Sequence, residues 1–145
     1  TEMHNWFQCK VKYEKNAQDG GIVKTSEAYL VDALSFTEAE ERINEEMRPF
    51  ISGEFLVSDI KREKVNELFA NEAGDRWYRS KVNFISLDEE KGVEKRIATT
   101  MYAQASSVKD ALEVIEKGMK GTLADYEIAA ITETNIMDVF PYKAE

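Results

Sequence analysis

The sequence has very few of the residues from which active sites and metal centres are usually built. It contains one cysteine, Cys9, and one histidine, His4. A single cysteine excludes an intramolecular disulfide and a zinc ribbon, and it suits a reducing compartment. A single histidine excludes a multi-histidine metal site and argues against a histidine-based triad. Phosphate-binding and nucleophile-elbow glycine patterns are also absent. We therefore expect a non-catalytic protein without cofactor or metal.

Long apolar runs and excess positive charge are lacking as well. No stretch reaches the roughly 18 apolar residues of a membrane span, and no signal-peptide pattern opens the chain. We expect a cytoplasmic protein that does not bind membranes. Lysine and arginine total 19 against 28 aspartates and glutamates, a net charge of −9. This balance disfavours non-specific binding to nucleic acid. The hydrophobic content of 43% is sufficient for a core, so disorder of the whole chain is not expected.

What the sequence does contain is an internal repeat. WFQCKVKY (6–13) matches WYRSKVNF (77–84) at a shift of 71 residues, and YLVDALSFTEAEERINEEM (29–47) matches MYAQASSVKDALEVIEKGM (101–119) at a shift of 72. FLVSDI (55–60) then matches YEIAAI (126–131), and Phe69 matches Phe140, again at 71. Three elements with nearly equal shifts indicate a duplication rather than chance.

Each copy has the pattern of a β-β-α-β unit. Alternating strands flank the turns NAQDGG (16–21) and DEEKG (88–92), and each helix begins at a serine, Ser35 or Ser107, with an acidic residue three positions later. The predicted fold is α+β, with six main strands and two helices in two repeats related by a pseudo-two-fold axis. The predicted divisions are an N-terminal tail (1–5), the first repeat (6–70), a linker (71–76), the second repeat (77–140) and a C-terminal tail (141–145).

Apolar residues at strand and helix spacing predict the core. In the helices the stripes are Ala39, Ile43 and Met47 and, in the second copy, Val108, Ala111, Leu112, Ile115 and Met119. Cys9 alternates with apolar residues, so we expect it to be a small core side chain rather than a reactive thiol. The residues predicted to be buried are Phe7, Val11, Tyr13, Tyr29, Val31, Ile43, Met47, Phe55, Val57, Tyr78, Val82, Phe84, Met101, Ile115, Met119, Tyr126 and Ile128.

One helix covers only one face of each predicted sheet, and the opposite face carries the main candidate site. Aromatic and cationic side chains alternate there, as in proteins that stack bases and contact phosphates. The alternative is structural: the tryptophans seal a sheet edge or pack the two copies together, and the lysines are solvated. Leu30 and Asp32 are also predicted on this face, and Lys61, Arg62 and Lys64 form a further basic cluster. The candidate binding residues are Trp6, Gln8, Lys10, Lys12, Trp77, Arg79, Lys81, Tyr102 and Gln104.

Several long phrases in the chain carry a family resemblance. WFQCKVKYEK, YLVDALSFTEAEERI, ISGEFLVSDIKR, GDRWYRSKV, GMKGTLADYEI and ETNIMDVFPY together resemble a domain-of-unknown-function family of Bacteroidetes and their phages, DUF4494. The resemblance covers nearly the whole chain and implies a cytoplasmic bacterial or phage protein. It supplies no activity and no catalytic residues.

Two functional hypotheses follow from these patterns. The first is a non-catalytic binding or accessory module that recognises a protein partner, or a second copy of itself, through the uncovered sheet faces. The second is a single-stranded nucleic-acid-binding protein of a phage or mobile element that uses the same Trp, Lys and Arg residues. The exposure of the tryptophans and the charge around them distinguish the two.

Overall fold

The computed structural model describes residues 5–142 and has the α+β fold that the repeat predicts. It contains eight strands and two helices in this range: β1 Asn5–Asn16, β2 Ile22–Ala33, α1 Phe36–Met47, β3 Phe55–Glu63, β4 Glu67–Phe69, β5 Arg76–Asp88, β6 Val93–Ala105, α2 Val108–Gly118, β7 Asp125–Glu133 and β8 Ile136–Phe140. Two of these, β4 and β8, are short strands in addition to the six predicted main strands. The described residues form two compact units.

The first unit comprises residues 5–64 and 135–142. Its sheet has the order β3-β1-β2-β8, in which β8 is parallel to β2 and the other pairs are antiparallel. Helix α1 packs on one face of this sheet. Ile43 and Met47 of the helix are buried there against Phe7, Val11 and other core side chains.

The second unit comprises residues 65–134 and has the same plan. Its sheet has the order β4-β6-β5-β7, with β4 parallel to β6 and the other pairs antiparallel. Ile115 of helix α2 and Met119, the residue directly after the helix, are buried against Val82 and Met101. Val108 and Leu112, which the sequence places in the same stripe, are exposed, because one lies in the first helical turn and the other at the margin of the stripe.

One irregularity of the strand ladders occurs in both units. The β1–β3 ladder shifts register between Lys10 and Val11, and the β5–β7 ladder shifts at the matching place, between Lys81 and Val82. Both helices begin at the predicted serine. Ser35 Oγ accepts from the backbone N–H of Glu38 at 3.1 Å, and Ser107 Oγ accepts from that of Asp110 at 3.0 Å. These caps satisfy N–H groups that a helix start leaves without an internal partner.

The last strand of each sequence repeat lies in the unit formed by the other repeat. Phe69 ends β4, which pairs with β6 of the second unit, and Phe140 ends β8, which pairs with β2 of the first. The partners are equivalent, because Phe69 lies opposite Ala103 and Phe140 opposite Val31. The compact units therefore differ from the linear repeats by an exchange of these strands. The pseudo-two-fold axis stays a prediction.

The predicted core is confirmed, although its residues differ in how deeply they are buried. Eleven of the seventeen predicted residues are buried, and the remaining six are half-buried and pack against the two helix-covered clusters. Those six are Tyr13, Phe55, Val57, Phe84, Tyr126 and Ile128. Cys9 is fully buried, as predicted. No described helix has the length and apolar character needed to cross a bilayer.

Candidate functional site

The structure separates the candidate binding residues by burial. Trp77 and Tyr102 are buried, at 5% and 0% exposure. The remaining predicted residues are more accessible: Trp6, Gln8 and Gln104 are half-buried, and Lys10, Lys12, Arg79 and Lys81 are exposed. The candidate face thus consists of a buried aromatic part and an accessible, mainly basic part.

The expectation that the second strands present open surface opposite the helix is wrong for several side chains. Leu30 and Tyr102 are fully buried, and Asp32 is 5% exposed. In the first unit, Leu30 pairs with Val139 of β8, which is itself buried. The physical reason is that large apolar side chains gain free energy on leaving water. In this structure Trp77 and Tyr102 are not accessible for stacking on a base.

Arg79 is engaged with one of these buried aromatics. Its guanidinium donates to the Tyr102 hydroxyl at 3.4 Å, the outer limit of a hydrogen bond. Asn83, on the same face, is also buried and donates to the Glu127 carboxylate at 3.2 Å, while Arg96 donates to that carboxylate at 2.9 Å. These bonds, from Asn83 first and then Arg96, lower the pKa of Glu127 below its usual value. A fixed negative charge therefore lies among the cations of the second unit.

The basic part of the first unit is likewise mixed in charge. Asp59 lies opposite Lys10 in the β1–β3 ladder, and Leu56 lies opposite Lys12. Lys61, Arg62 and Lys64, the second basic cluster, are exposed. Arg62 lies 5.3 Å from the ring centre of Phe7 and 5.4 Å from that of Phe36, distances typical of cation–π contacts. These contacts show that Arg62 packs against the two aromatic rings.

Large apolar side chains, four of them exposed and four half-buried, lie toward the ends of the two β-hairpins. This feature was not predicted from the sequence. In the first unit, Tyr13, Ile22, Phe50 and Ile51 line one cavity of about 440 Å³, and Phe50 is 76% exposed. In the second unit, Phe84 pairs with Ile97 and its ring lies 6.4 Å from that of Tyr126. Leu123, just before β7, is 100% exposed. We call these two groups the hairpin-end surfaces: Tyr13, Ile22, Phe50 and Ile51, and Phe84, Ile97, Leu123 and Tyr126.

A signal for these surfaces was present in the sequence. Ile22 and Phe50 stand next to turn residues, Gly21 and Pro49, where polar side chains are usual. Because the hairpin strands are longer than their edge partners β3 and β7, their ends extend beyond the helix-covered core. The difference in length between these strands depends on tertiary pairing and could not be predicted from the local sequence.

A larger cavity lies in the second unit, between α2 and β4. We call it the α2–β4 groove; its volume is about 610 Å³. Its lining combines apolar side chains with two carboxylates and one lysine. The lining residues are Leu68, Phe69, Ala70, Asn71, Asp110, Glu113, Val114, Lys117 and Gly118.

The residues most associated with catalysis do not assemble into a site within residues 5–142. Burial, with a smaller contribution from Asp59, raises the pKa of the Cys9 thiol to about 12, so the nucleophilic thiolate is disfavoured at neutral pH. The described residues contain no group of three or more His, Cys, Asp or Glu side chains able to hold a metal ion. His4 lies outside the described residues.

Comparison with known proteins adds a family but no activity. No curated protein and no solved structure matches the chain. One family profile does match, described as "Domain of unknown function (DUF4494)", and it covers residues 5–142. This match spans both units and every strand and helix described above. The chain therefore belongs to the DUF4494 family.

Proposed function

We propose that the chain is a non-catalytic binding module that recognises a protein partner through its hairpin-end surfaces. The observation that carries the proposal is the exposure of large apolar side chains at the same end of both units. Phe50 is 76% exposed and Leu123 is 100% exposed. Single exposed apolar residues are ordinary, whereas clusters rimmed by polar residues are typical of interaction sites.

Covering the exposed side chains of these surfaces would contribute favourable free energy to binding. Covering one side chain of the size of Phe or Leu is worth about 1.5–3 kcal/mol. Ile22 and Ile97 add further exposed area, at 68% and 52% exposure. Charged neighbours such as Glu14 and Lys15 border the cavity in the first unit. An apolar centre with a charged border is the usual composition of a protein–protein interface.

The face opposite the helices is a weaker candidate for the same role. Several of its large side chains, including Trp77 and Leu30, are buried already, although Leu56 is 63% exposed. Its accessible remainder consists mainly of lysines and carboxylates. Exposed ion pairs contribute little to affinity, so the hairpin-end surfaces support partner recognition better than that face.

The first partner to test is a second copy of the chain. Sedimentation velocity over a range of concentrations would compare the wild type with Phe50→Ser and Leu123→Ser. Leu56→Ser is the matched control, because Leu56 is 63% exposed and lies on the opposite sheet face. We expect self-association that the first two substitutions weaken and the control leaves unchanged.

A partner of a different sequence is tested by photo-crosslinking. A photoreactive phenylalanine analogue at position 50, 123 or 56 would be introduced into the chain in its native host. Any protein captured would then be purified and its affinity measured against the same serine variants. A monomeric wild type, together with no capture at positions 50 and 123 beyond that at position 56, would contradict the proposal.

Single-stranded nucleic acid remains the alternative ligand. Exposed Lys10, Lys12 and Lys81 favour it, and the burial of Trp77 and the net charge of −9 oppose it. Fluorescence anisotropy with a labelled oligonucleotide at low salt tests it directly. We expect no binding, and we expect Trp77→Ala to lower stability by about 3–5 kcal/mol, as the loss of a buried aromatic does. Salt-dependent binding that Lys81→Ala weakens, with Trp77→Ala unchanged in stability, would favour the alternative.

A further inference from the structure

The α2–β4 groove of the second unit has a filled counterpart in the first. There the space between α1 and β8 is occupied by Arg42. Its guanidinium donates to the backbone carbonyls of Asp32, Phe140 and Pro141, the last two at 3.3 and 3.1 Å. It also lies 6.0 Å from the ring centre of Tyr142, and its side chain is only 15% exposed.

The backbone that forms the two places is built alike. β8 and β4 pair in parallel with equivalent strands, Phe140 opposite Val31 and Phe69 opposite Ala103.

A matching hydrogen bond in each unit supports the equivalence of the two backbone segments. In the first unit, the backbone N–H of Tyr142 donates to the Asp32 carboxylate at 3.4 Å. In the second, the backbone N–H of Asn71 donates to the side-chain carbonyl of Gln104 at 3.0 Å. Asp32 and Gln104 occupy matching positions of the repeat, as do Tyr142 and Asn71. The carbonyls of Phe69 and Ala70 therefore correspond to those that Arg42 binds in the first unit.

The two units differ at the position of Arg42 itself. Its equivalent, 72 residues later, is Val114, which is short and has no hydrogen-bond donor. Within residues 5–142, no side chain donates a hydrogen bond to the carbonyl of Phe69 or Ala70. Two carboxylates, Asp110 and Glu113, line the same groove, with one lysine, Lys117. The second unit thus has backbone carbonyls that match those bound by Arg42, with two carboxylates lining the same groove.

We propose that the α2–β4 groove binds an arginine side chain of a partner protein in the position that Arg42 takes in the first unit. A guanidinium presents five N–H donors in one plane and can bind several carbonyls together. The aliphatic stem would lie along Leu68 and Val114, as long cationic side chains do on apolar surface. The carboxylate of Glu113, and that of Asp110, which also accepts hydrogen bonds from Ser106, would strengthen such a contact. This inference does not rest on the hairpin-end surfaces, since none of their residues lines the groove.

The test uses a capped glycine–arginine–glycine peptide and its citrulline counterpart, which has a similar shape but no charge. Each would be titrated into the isotope-labelled full chain while amide chemical shifts are followed. We expect saturable shifts in β4 and α2 with the arginine peptide. Because hydrogen bonds to charged groups are the stronger ones, we expect binding of the citrulline peptide to be at least about tenfold weaker.

Substitutions at Val114 identify the site. Val114→Arg supplies the missing side chain from within and should abolish peptide binding. Leu112→Arg adds the same charge at an exposed position of the same helix and should leave binding unchanged. Val114→Thr keeps a side chain of similar shape at the same position. We expect it to fold and to bind the arginine peptide, so it controls for the effect of substituting position 114 as such. No saturable shift in the wild type, equal binding of the citrulline peptide, or full binding by V114R would overturn the proposal. None of these results bears on the hairpin-end measurements.

Discussion

Ile43 and Ile115 occupy matching positions in the two helices, and both are fully buried. Each is the central member of a stripe that packs on its sheet. We predict that Ile43→Ala and Ile115→Ala each lower the free energy of unfolding by about 2–5 kcal/mol, through lost burial and the cavity left behind. Chemical denaturation measures the effect.

Leu112→Ala is the matched control for Ile115, since Leu112 lies on the same helix and is exposed. We expect its effect to stay within about 0.5 kcal/mol, as for most surface substitutions. Equal losses for Ile115→Ala and Leu112→Ala would mean that α2 does not present the described face to its sheet.

We predict that the burial of Cys9 lowers the free energy of unfolding at alkaline pH. Burial raises the pKa of its thiol from 9.0 to about 12. Above pH 9 the unfolded chain releases this proton and the folded chain retains it. The contribution of the buried thiol to the free energy of unfolding is therefore complete below pH 9. It is lost progressively as the pH rises toward 12. In addition, the nearby Glu27 carboxylate raises the pKa of Tyr13 to about 12.

Urea denaturation between pH 8 and pH 11 would measure this dependence in the wild type and in Cys9→Ala. We expect the fall that begins near pH 9 to be smaller in the variant, even if its stability at pH 8 is lower. We also expect the native thiol to resist alkylation at pH 8. Rapid alkylation without unfolding, or the same pH slope in both proteins, would show that Cys9 is not protected by burial.

At the scale of secondary-structure elements, the contact between α2 and β4 depends on a glycine. Gly118 is the last residue of α2, and a β-carbon there would overlap the ring of Phe69. Replacing a helical glycine by alanine ordinarily stabilises a protein by about 0.5–1 kcal/mol. At this position we predict the opposite sign for Gly118→Ala, because overpacking costs about 1–3 kcal/mol.

A double-mutant cycle with Phe69→Ala isolates the cause. In the Phe69→Ala background the ring is gone, and Gly118→Ala should become neutral or stabilising. Thermal denaturation of the four proteins provides the comparison. A stabilising Gly118→Ala in the wild-type background would indicate that β4 does not pack closely on α2.

At the scale of the whole molecule, the exchange of the last strands has a measurable consequence. β8 comes from the end of the second repeat but completes the sheet of the first unit. It contributes buried Ile136 and Val139, and the Phe140 ring stacks on Tyr29 at 5.8 Å. We predict that a chain ending at Thr134 loses protection in the first unit, whereas β5, β6 and β7 of the second unit retain theirs.

Hydrogen exchange measured by mass spectrometry resolves the two units. A chain ending at Tyr142 is the control, because it keeps β8. If truncation at Thr134 prevents folding altogether, Phe140→Ala provides a milder test, because it removes one side chain of β8 rather than the whole strand. Exchange that increases first in residues 77–134 would mean that β8 stabilises the repeat from which it comes.

Much of this architecture could be predicted from local pattern. Alternation along 6–13 and 77–84, the caps at Ser35 and Ser107 and the stripes through Ile43 and Ile115 all reflect periodicities of a single strand or helix. The matching of the two halves strengthened each of these predictions. The family could also be identified from the sequence, since its profile covers residues 5–142.

The candidate site could be predicted only in part. Alternation correctly separated Phe7 and Val11 from Lys10 and Lys12, because neighbouring residues of a strand point to opposite faces. It could not tell that Trp77 and Tyr102 are buried while Arg79 is exposed, since all three belong to the face without a helix. What covers a sheet face is a long-range property that periodicity does not contain.

The sequence by itself determined that this protein has two β-β-α-β halves, which residues face each helix, and that Cys9 is a core residue. The reason is that spacing and capping act within a few residues of one another. Tertiary structure alone decided that β4 and β8 exchange between units, because parallel pairing with β6 and β2 joins segments far apart in the chain. It also decided that Arg42 fills its groove while Val114 leaves the equivalent one open, since that contrast appears only when two matching backbones are compared in space.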